Sequence, residues 1–132
     1  MATRTIKQTA VIKGATAGDI YGTLMSSKKH GALSGQPAKV SSRVGGKWSV
    51  GHDIEGNHLT LVKDKKIVQT WRANNWPKGT YSKATFALAK AKTGTRITFT
   101  QTGVPTQGYE ETNAGWRAYY WTPLRKTFAK GR

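Results

Sequence analysis

The sequence has 132 residues, which is enough for one domain around a single core, and it contains no cysteine, which excludes disulfide bonds and thiolate metal sites. Twenty-two Lys and Arg against six Asp and Glu give a formal net charge of +16, which favours an acidic partner or surface. Because no apolar run is long enough to span a bilayer and no apolar signal segment stands at the N-terminus, we expect a cytoplasmic protein and not a membrane protein.

The N-terminal region predicts one strand followed by one or two helices. Residues 4–13 alternate polar and apolar side chains, which is the period of a half-buried strand. Thr16 and Asp19 form a capping box at the start of a helix. The apolar stripe of that helix consists of Ile20, Tyr21, Leu24 and Met25. A short second helix is predicted around residues 28–32.

After Pro37 the sequence indicates short β-strands separated by turns. The predicted strands are residues 38–42, 47–51, 53–55, 58–63 and 66–73, with turns at Gly45-Gly46 and at residues 63–65. Trp48 and Val50 alternate with polar neighbours, which predicts that both are buried. In the fourth of these strands, Leu59 and Leu61 are expected to share one face.

Residues 82–90 and 95–102 form the clearest hairpin, because a glycine turn at Lys92-Thr93-Gly94 separates two alternating runs. The inward faces of these strands are predicted to carry Ala84, Phe86, Leu88, Ile97 and Phe99. The segment Gly103-Val104-Pro105 is predicted to end the second strand.

From about Tyr109 the apolar period changes from two to 3.6, which predicts one long C-terminal helix. Its apolar stripe consists of Trp116, Tyr120, Leu124 and Phe128. Pro123 lies inside this helix and removes one backbone hydrogen bond, so we expect a kink or a short break within residues 119–123.

The order of these elements predicts an α+β helix-grip architecture, with residues 1–132 as a single domain. A curved antiparallel sheet of about six or seven strands has one face to bury, and the C-terminal helix is the element long enough to cover it. Such an arrangement often leaves a cavity between sheet and helix. The candidate cavity-lining residues are Trp48, Leu59, Trp71, Trp116, Tyr120 and Leu124. Rings of this size are expected to fill the space, and binding of a small apolar molecule is the alternative.

The ionisable residues predict neither a metal site nor an enzyme. One cluster has ligand-type side chains, namely His52, Asp53, Glu55 and His58. It lies on a turn-rich segment, which favours a polar hairpin over the three or four convergent ligands that a metal requires. Glu110 and Glu111 stand where negative charge complements the dipole of the last helix. Since no acid–base pair is expected to face the cavity and no nucleophile motif occurs, we predict a non-enzymatic protein without a metal or cofactor.

The positive charge does not predict a specific nucleic-acid site. Lys and Arg are spread along the whole chain in blocks no longer than two, whereas nucleic-acid arms concentrate their charge. The aromatic residues fall on predicted apolar faces, which favours core packing over base stacking. We therefore expect only weak, salt-sensitive contact with nucleic acid.

Several segments, taken in order, resemble the activator of heat-shock protein 90 (Hsp90) ATPase family, in particular the C-terminal domain of the eukaryotic activators. The resemblance runs from about Ile6 to Phe128. The segments that carry it are Gly45-Gly46-Lys47-Trp48, Ile54-Glu55-Gly56-Asn57, Lys66-Ile67-Val68-Gln69-Thr70-Trp71-Arg72, Trp76-Pro77-x-Gly79, Gly103-Val104-Pro105, Gly115-Trp116-x-x-Tyr119-Tyr120 and Lys126-Thr127-Phe128. Membership would imply the helix-grip fold of the wider START and Bet v 1-like superfamily.

The resemblance also implies a function and a partner. In the full-length activators an N-terminal domain grips the middle segment of Hsp90, and the C-terminal domain contacts the ATP-binding N-terminal domains and favours their closed, dimerised state. A co-chaperone-like protein that binds Hsp90 and stimulates its ATPase is therefore implied, and a binding module for a small apolar ligand in the cavity is the alternative. The candidate partner-binding residues are exposed lysines at turn edges, namely Lys63, Lys65, Lys66 and Lys78.

Overall fold

Seven antiparallel strands form one sheet in the computed structural model, which describes residues 2–129. The strands are β1 (Thr3–Lys13), β2 (Ala38–Val40), β3 (Lys47–Val50), β4 (Ile54–Val62), β5 (Lys66–Ala73), β6 (Ser82–Lys90) and β7 (Gly94–Pro105). Their order across the sheet is β1-β7-β6-β5-β4-β3-β2, so the first strand pairs with the last. This arrangement confirms the predicted antiparallel sheet.

The helices lie before β2 and after β7. Helix α1 (Ala17–Met25) begins with the predicted capping box, in which Thr16 Oγ1 accepts from the Asp19 N–H and the Asp19 carboxylate accepts from the Thr16 N–H. Helix α2 (Ser27–Ser34) follows directly. The C-terminal helix consists of α3 (Tyr109–Trp116), a π-turn (Arg117–Trp121) and α4 (Thr122–Ala129). Within residues 2–129, no helix combines the length and the apolar character needed to cross a membrane.

The irregularity predicted near Pro123 is this π-turn. The Thr122 N–H donates to the carbonyl of Arg117, five residues earlier, whereas an α-helix would use the residue four earlier. The helix is thus widened and not interrupted. Trp116, which directly precedes the turn, and Trp121, its last residue, are both buried.

Strand β4 is continuous where the sequence indicated two short strands. Gly56 and Asn57, which favour a turn by composition, lie inside it. A side chain at Gly56 would collide with the Thr70 carbonyl of β5, to which the Trp48 Nε1–H donates at 3.1 Å. Glycine is therefore required by the close approach of the two strands and of the indole, and does not mark a turn.

Leu59 does not share a face with Leu61, because β4 contains a β-bulge. The pairing with β5 shifts between His58 and Thr60, so that Leu59 is the additional residue. The bulge turns Leu59 to the outer face of the sheet, where it is 45% exposed, while Leu61 packs against the core. The prediction that places Leu59 in the cavity is wrong for this reason.

A second bulge extends β7 beyond its predicted end. Gly103 has a φ of 78° and lies opposite the register shift between Arg4 and Ile6 of β1. Pairing continues after the shift, with Val104 opposite Arg4. The glycine therefore bends the strand and does not end it.

The core between the sheet and the C-terminal helix is built from aromatic rings. The Trp116 ring centroid lies 4.2 Å from that of Phe99 and 5.6 Å from that of Phe86. Trp121 lies 5.6 Å from Phe99. The side chains predicted to face inward from the β6–β7 hairpin are all buried, so the helix docks on the face that the alternation indicated.

Two buried glutamines connect the indoles of the C-terminal helix to the sheet. The Trp116 Nε1–H donates to Gln101 Oε1 of β7 at 2.8 Å, and the Trp121 Nε1–H donates to Gln8 Oε1 of β1 at 2.6 Å. Both glutamines lie on the inward face, among apolar neighbours. Each indole has one donor, and these bonds satisfy it inside the core.

Each glutamine also donates to a second partner. Gln101 Nε2 donates to Ser82 Oγ at 2.8 Å, and the Ser82 hydroxyl donates to the Trp71 carbonyl at 2.8 Å. Gln8 Nε2 donates to Asn113 Oδ1 at 2.8 Å. The buried polar groups therefore form connected chains, which restrict how the helix can lie on the sheet.

Replacing Trp116 by Ala is expected to lower the free energy of unfolding by about 3–5 kcal/mol, because the ring is fully packed against the sheet. The measurement is urea denaturation followed by circular dichroism. Tyr119→Ala, on the same helix but 57% exposed, is the control and should cost less than about 1 kcal/mol. A loss of that smaller size for Trp116→Ala would contradict the docking of the helix.

Replacing Gln101 by Leu is expected to lower the free energy of unfolding by about 1–3 kcal/mol, because the Trp116 N–H loses its acceptor while the volume is nearly kept. The exposed Gln107 offers the matched control Gln107→Leu, which should have little effect. Adding Trp116→Phe to Gln101→Leu should cost less than the sum of the single losses. Additive losses would show that the hydrogen bond does not couple the two residues.

Candidate functional site

A cavity of about 380 Å³ lies between the start of the C-terminal helix and the ends of β3, β4 and β5. Its size is within the range of small-molecule sites. The apolar and aromatic part of its wall consists of Val50, Ile54, Trp71, Ala73, Trp116, Tyr119 and Tyr120. The aromatic core therefore fills the middle of the space between sheet and helix but leaves this end open, which corrects the expectation that the rings fill it entirely.

Polar side chains surround the mouth of the cavity. They are Ser34, Gln36, Asp53, Asn74, Asn75 and Glu111. No Lys, Arg or His of residues 2–129 lines the cavity, although the chain is strongly basic. Its local charge is therefore opposite in sign to the net charge of the protein.

Two carboxylates come to this cavity from separate elements. Asp53 belongs to the β3–β4 turn and Glu111 to the first turn of α3, and the sheet order brings these two ends together. The sequence alone does not indicate this pair, because Asp53 and Glu111 lie far apart in the chain. Both side chains are exposed, so they lack the desolvated surroundings that general acid–base catalysis uses.

Of the six residues assigned to the cavity from the sequence, the structure places Trp71, Trp116 and Tyr120 on its wall. Trp48 is buried beneath β4 and β5, and Leu124 is buried farther along the helix. Periodicity identified the buried face but not which part of it borders open space. The residues missed, Asp53, Asn74 and Glu111 among them, lie in turns and at a helix start, where periodicity carries no information.

The four lysines assigned to partner binding do not form one surface. Lys63, Lys65 and Lys66 lie at the β4–β5 turn, whereas Lys78 lies in the β5–β6 loop, at the other end of β5. The strand between them spans on the order of 25 Å.

The pairing of the strands brings further lysines to the end of the sheet that holds the β4–β5 turn, since Lys13 lies opposite Gly94 and Lys90 opposite Thr95. We call this group the basic rim: Lys13, Lys63, Lys65, Lys66, Lys90 and Lys92.

The cluster around the β3–β4 turn does not converge. Glu55 forms an ion pair with Lys47 at 3.5 Å, and His58 is buried, with Nε2 donating to the Ser41 carbonyl at 2.9 Å. His52 is exposed at the turn. Among residues 2–129, no three His, Asp or Glu side chains are grouped so that they could hold a metal ion.

A buried histidine connects α2 to the wall of the cavity. His30 Nδ1 lies 2.9 Å from the Leu24 carbonyl and must carry the proton, since a carbonyl only accepts. His30 Nε2 then accepts from the Tyr120 hydroxyl at 2.7 Å. Burial lowers the pKa of His30, the nearby His58 lowers it further, and the bond to Leu24 opposes both effects. Burial also raises the pKa of Tyr120, so its hydroxyl remains a donor.

Comparison with known proteins identifies relatives over nearly the whole chain. The model of the family described as "Activator of Hsp90 ATPase homolog 1-like protein" matches residues 14–129. The activator of 90 kDa heat shock protein ATPase homolog of Dictyostelium discoideum is 34% identical over 113 residues, which cover 84% of this chain and 30% of that protein. An uncharacterised protein of Schizosaccharomyces pombe is 33% identical over 118 residues, covering 89% of this chain and 35% of that protein. The chain thus spans about a third of the length of these curated relatives.

Solved structures show the same fold. An Hsp90 activator from Plasmodium falciparum superimposes with a TM-score of 0.83 at 21% sequence identity, covering 98% of this chain and 97% of that one. The likeness includes the seven-stranded antiparallel sheet and the long C-terminal helix, so the predicted helix-grip fold is confirmed.

The stability of the protein is expected to fall as the pH is lowered through the ordinary His pKa of 6.5. Because burial lowers the pKa of His30 and His58 in the folded state, the unfolded chain binds protons first, and stability present above pH 6.5 is lost below it. Urea denaturation at pH 7.5 and pH 5.5 measures this change. His30→Gln should make the fall smaller, while the exposed His52→Gln should leave it unchanged. An equal fall in stability in the unsubstituted protein, in His30→Gln and in His52→Gln would contradict the role of His30.

Proposed function

This chain belongs to the activator of Hsp90 ATPase homolog 1-like family, and we propose from this premise that it is a co-chaperone that binds Hsp90 and stimulates its ATPase. The observation that carries the proposal is the family match over residues 14–129. The chain spans about a third of the length of its curated relatives, so the activity of those longer proteins is a proposal for this chain. A cytosolic location beside the chaperone belongs to the same proposal.

The proposed role is binding without chemistry on a substrate. The exposed position of Asp53 and Glu111 supports this, because a general acid or base usually lies in a cleft from which water is excluded. The protein would then act by stabilising one conformation of the chaperone, in the way that any ligand shifts an equilibrium toward the state it binds better.

We assign the contact with Hsp90 to the basic rim. Its six lysines are all exposed and lie around one end of the sheet. The acidic side chain Asp64 belongs to the same end but lies against Gly18, at the start of α1, where the helix dipole favours a negative charge. The rim therefore presents mainly positive charge to an acidic partner, and such complementarity acts chiefly on the rate of association.

Reversing three rim charges with Lys63→Glu, Lys65→Glu and Lys66→Glu is expected to lower the association rate with Hsp90 by about tenfold at low salt. The control carries the same change in charge on exposed lysines elsewhere: Lys28→Glu, Lys29→Glu and Lys78→Glu. Surface plasmon resonance at several salt concentrations measures the association rates of the two triple variants with Hsp90. Equal losses in the two triple variants would show that total charge, and not the rim, attracts the chaperone.

Titration of the isotope-labelled protein with the isolated N-terminal domain of Hsp90, followed by amide NMR at physiological salt, tests binding itself. Shifts confined to the β4–β5 turn and its neighbours are expected. Absence of shifts, in a sample whose spectrum shows a folded protein, would overturn the proposed function.

A further inference from the structure

The cavity at the start of the C-terminal helix has a chemistry that Hsp90 binding does not use. Twenty-two Lys and Arg outnumber six Asp and Glu in the chain, yet the charged side chains that line the cavity are Asp53 and Glu111. We propose that the cavity is a binding site for a small organic cation, an amine or quaternary ammonium group attached to an apolar or aromatic body. This inference is independent of the proposed co-chaperone function.

Neither of the two carboxylates forms an ion pair with a Lys or Arg of the described part of the chain. Lys47 and Arg72 lie near Asp53 but have other partners: Lys47 pairs with Glu55 at 3.5 Å, and Arg72 Nη2 donates to the Trp76 carbonyl at 2.7 Å. At physiological ionic strength, charges are screened beyond about 8 Å. Charges close to the cavity, the two carboxylates first among them, therefore influence its potential more than the net charge of the protein does.

Four aromatic side chains line the cavity, namely Trp71, Trp116, Tyr119 and Tyr120. Tyr119 is 57% exposed at the mouth, so core packing does not account for it. Rings of this kind attract ammonium groups through their electron-rich faces, and the attraction strengthens where water is excluded. Carboxylates together with aromatic rings form a site that selects for positive charge.

Gly115 keeps the cavity open. It lies inside the helical segment, where glycine is less favourable than alanine. Its φ is not positive, and a Cβ there would meet Tyr119 Cδ2 at 3.8 Å, an ordinary contact. Neither backbone conformation nor close packing therefore requires a glycine here. The consequence of the missing side chain is open space beside Trp116 and Tyr119.

Three probes with the same ring and different charge test the proposal: tryptamine, neutral 3-ethylindole and anionic indole-3-acetate. Titration of each into the labelled protein, followed by amide NMR, should show shifts around Gly115 and Asn74 for tryptamine. Its Kd should be at least about tenfold lower than that of 3-ethylindole, and indole-3-acetate should not bind. Equal binding of all three probes, or shifts outside the cavity, would overturn the proposal.

Variants then separate charge from shape. Asp53→Asn combined with Glu111→Gln should weaken tryptamine binding about tenfold and leave 3-ethylindole unchanged. Glu110→Gln is the matched control, because Glu110 is exposed beside Glu111 but does not line the cavity. Gly115→Leu should abolish tryptamine binding by filling the space. Unchanged tryptamine binding in the Asp53→Asn, Glu111→Gln double variant would overturn the assignment, and so would unchanged binding in Gly115→Leu. All of these readouts are made without Hsp90, so their failure leaves the proposed function untouched.

Discussion

Two indole–glutamine pairs determine how the C-terminal helix lies on the sheet. Trp116 and Trp121 each bring one buried N–H to the core, and Gln101 and Gln8 on adjacent strands each supply the acceptor. A purely apolar interface would tolerate sliding, because dispersion and burial depend little on direction, whereas a buried hydrogen bond is lost when its partners move apart. The position of the helix then decides which part of the space above the sheet is filled and which part remains a cavity.

Much of the fold follows from alternation in the sequence. Strands β5 and β6 have the predicted bounds, and buried positions recur at every second residue along most of both strands. The errors occur at Leu59 and Gly103, where a bulge changes the phase of the alternation and no residue type announces it in advance. Gln8 and Gln101 were visible as polar residues on predicted inward faces. Their role depends on meeting a tryptophan far away in sequence, and a single-sequence pattern does not contain that contact.

The cavity was predictable as a consequence of the architecture, but its location and chemistry were not. A helix over a sheet encloses space, and rings at helical spacing indicate which residues face it. Which end remains open depends on Gly115 and on the meeting of the β3–β4 turn with the start of α3. These are tertiary contacts between segments some sixty residues apart in the chain, so the two carboxylates could be recognised as one feature only after the fold was known.

The π-turn has a consequence for what one helix can hold. It is equivalent to a regular α-helix that has accepted one additional residue, so that Trp116 and Trp121 face the same sheet although a regular pitch would turn them about 140° apart. The additional position leaves Tyr120 and Trp121, neighbours in sequence, buried against different elements: the phenol reaches His30 of α2 and the indole reaches Gln8 of β1. A helix of uniform pitch would have to give up one of these contacts. The widened turn thus allows a single element to close the fold on two sides.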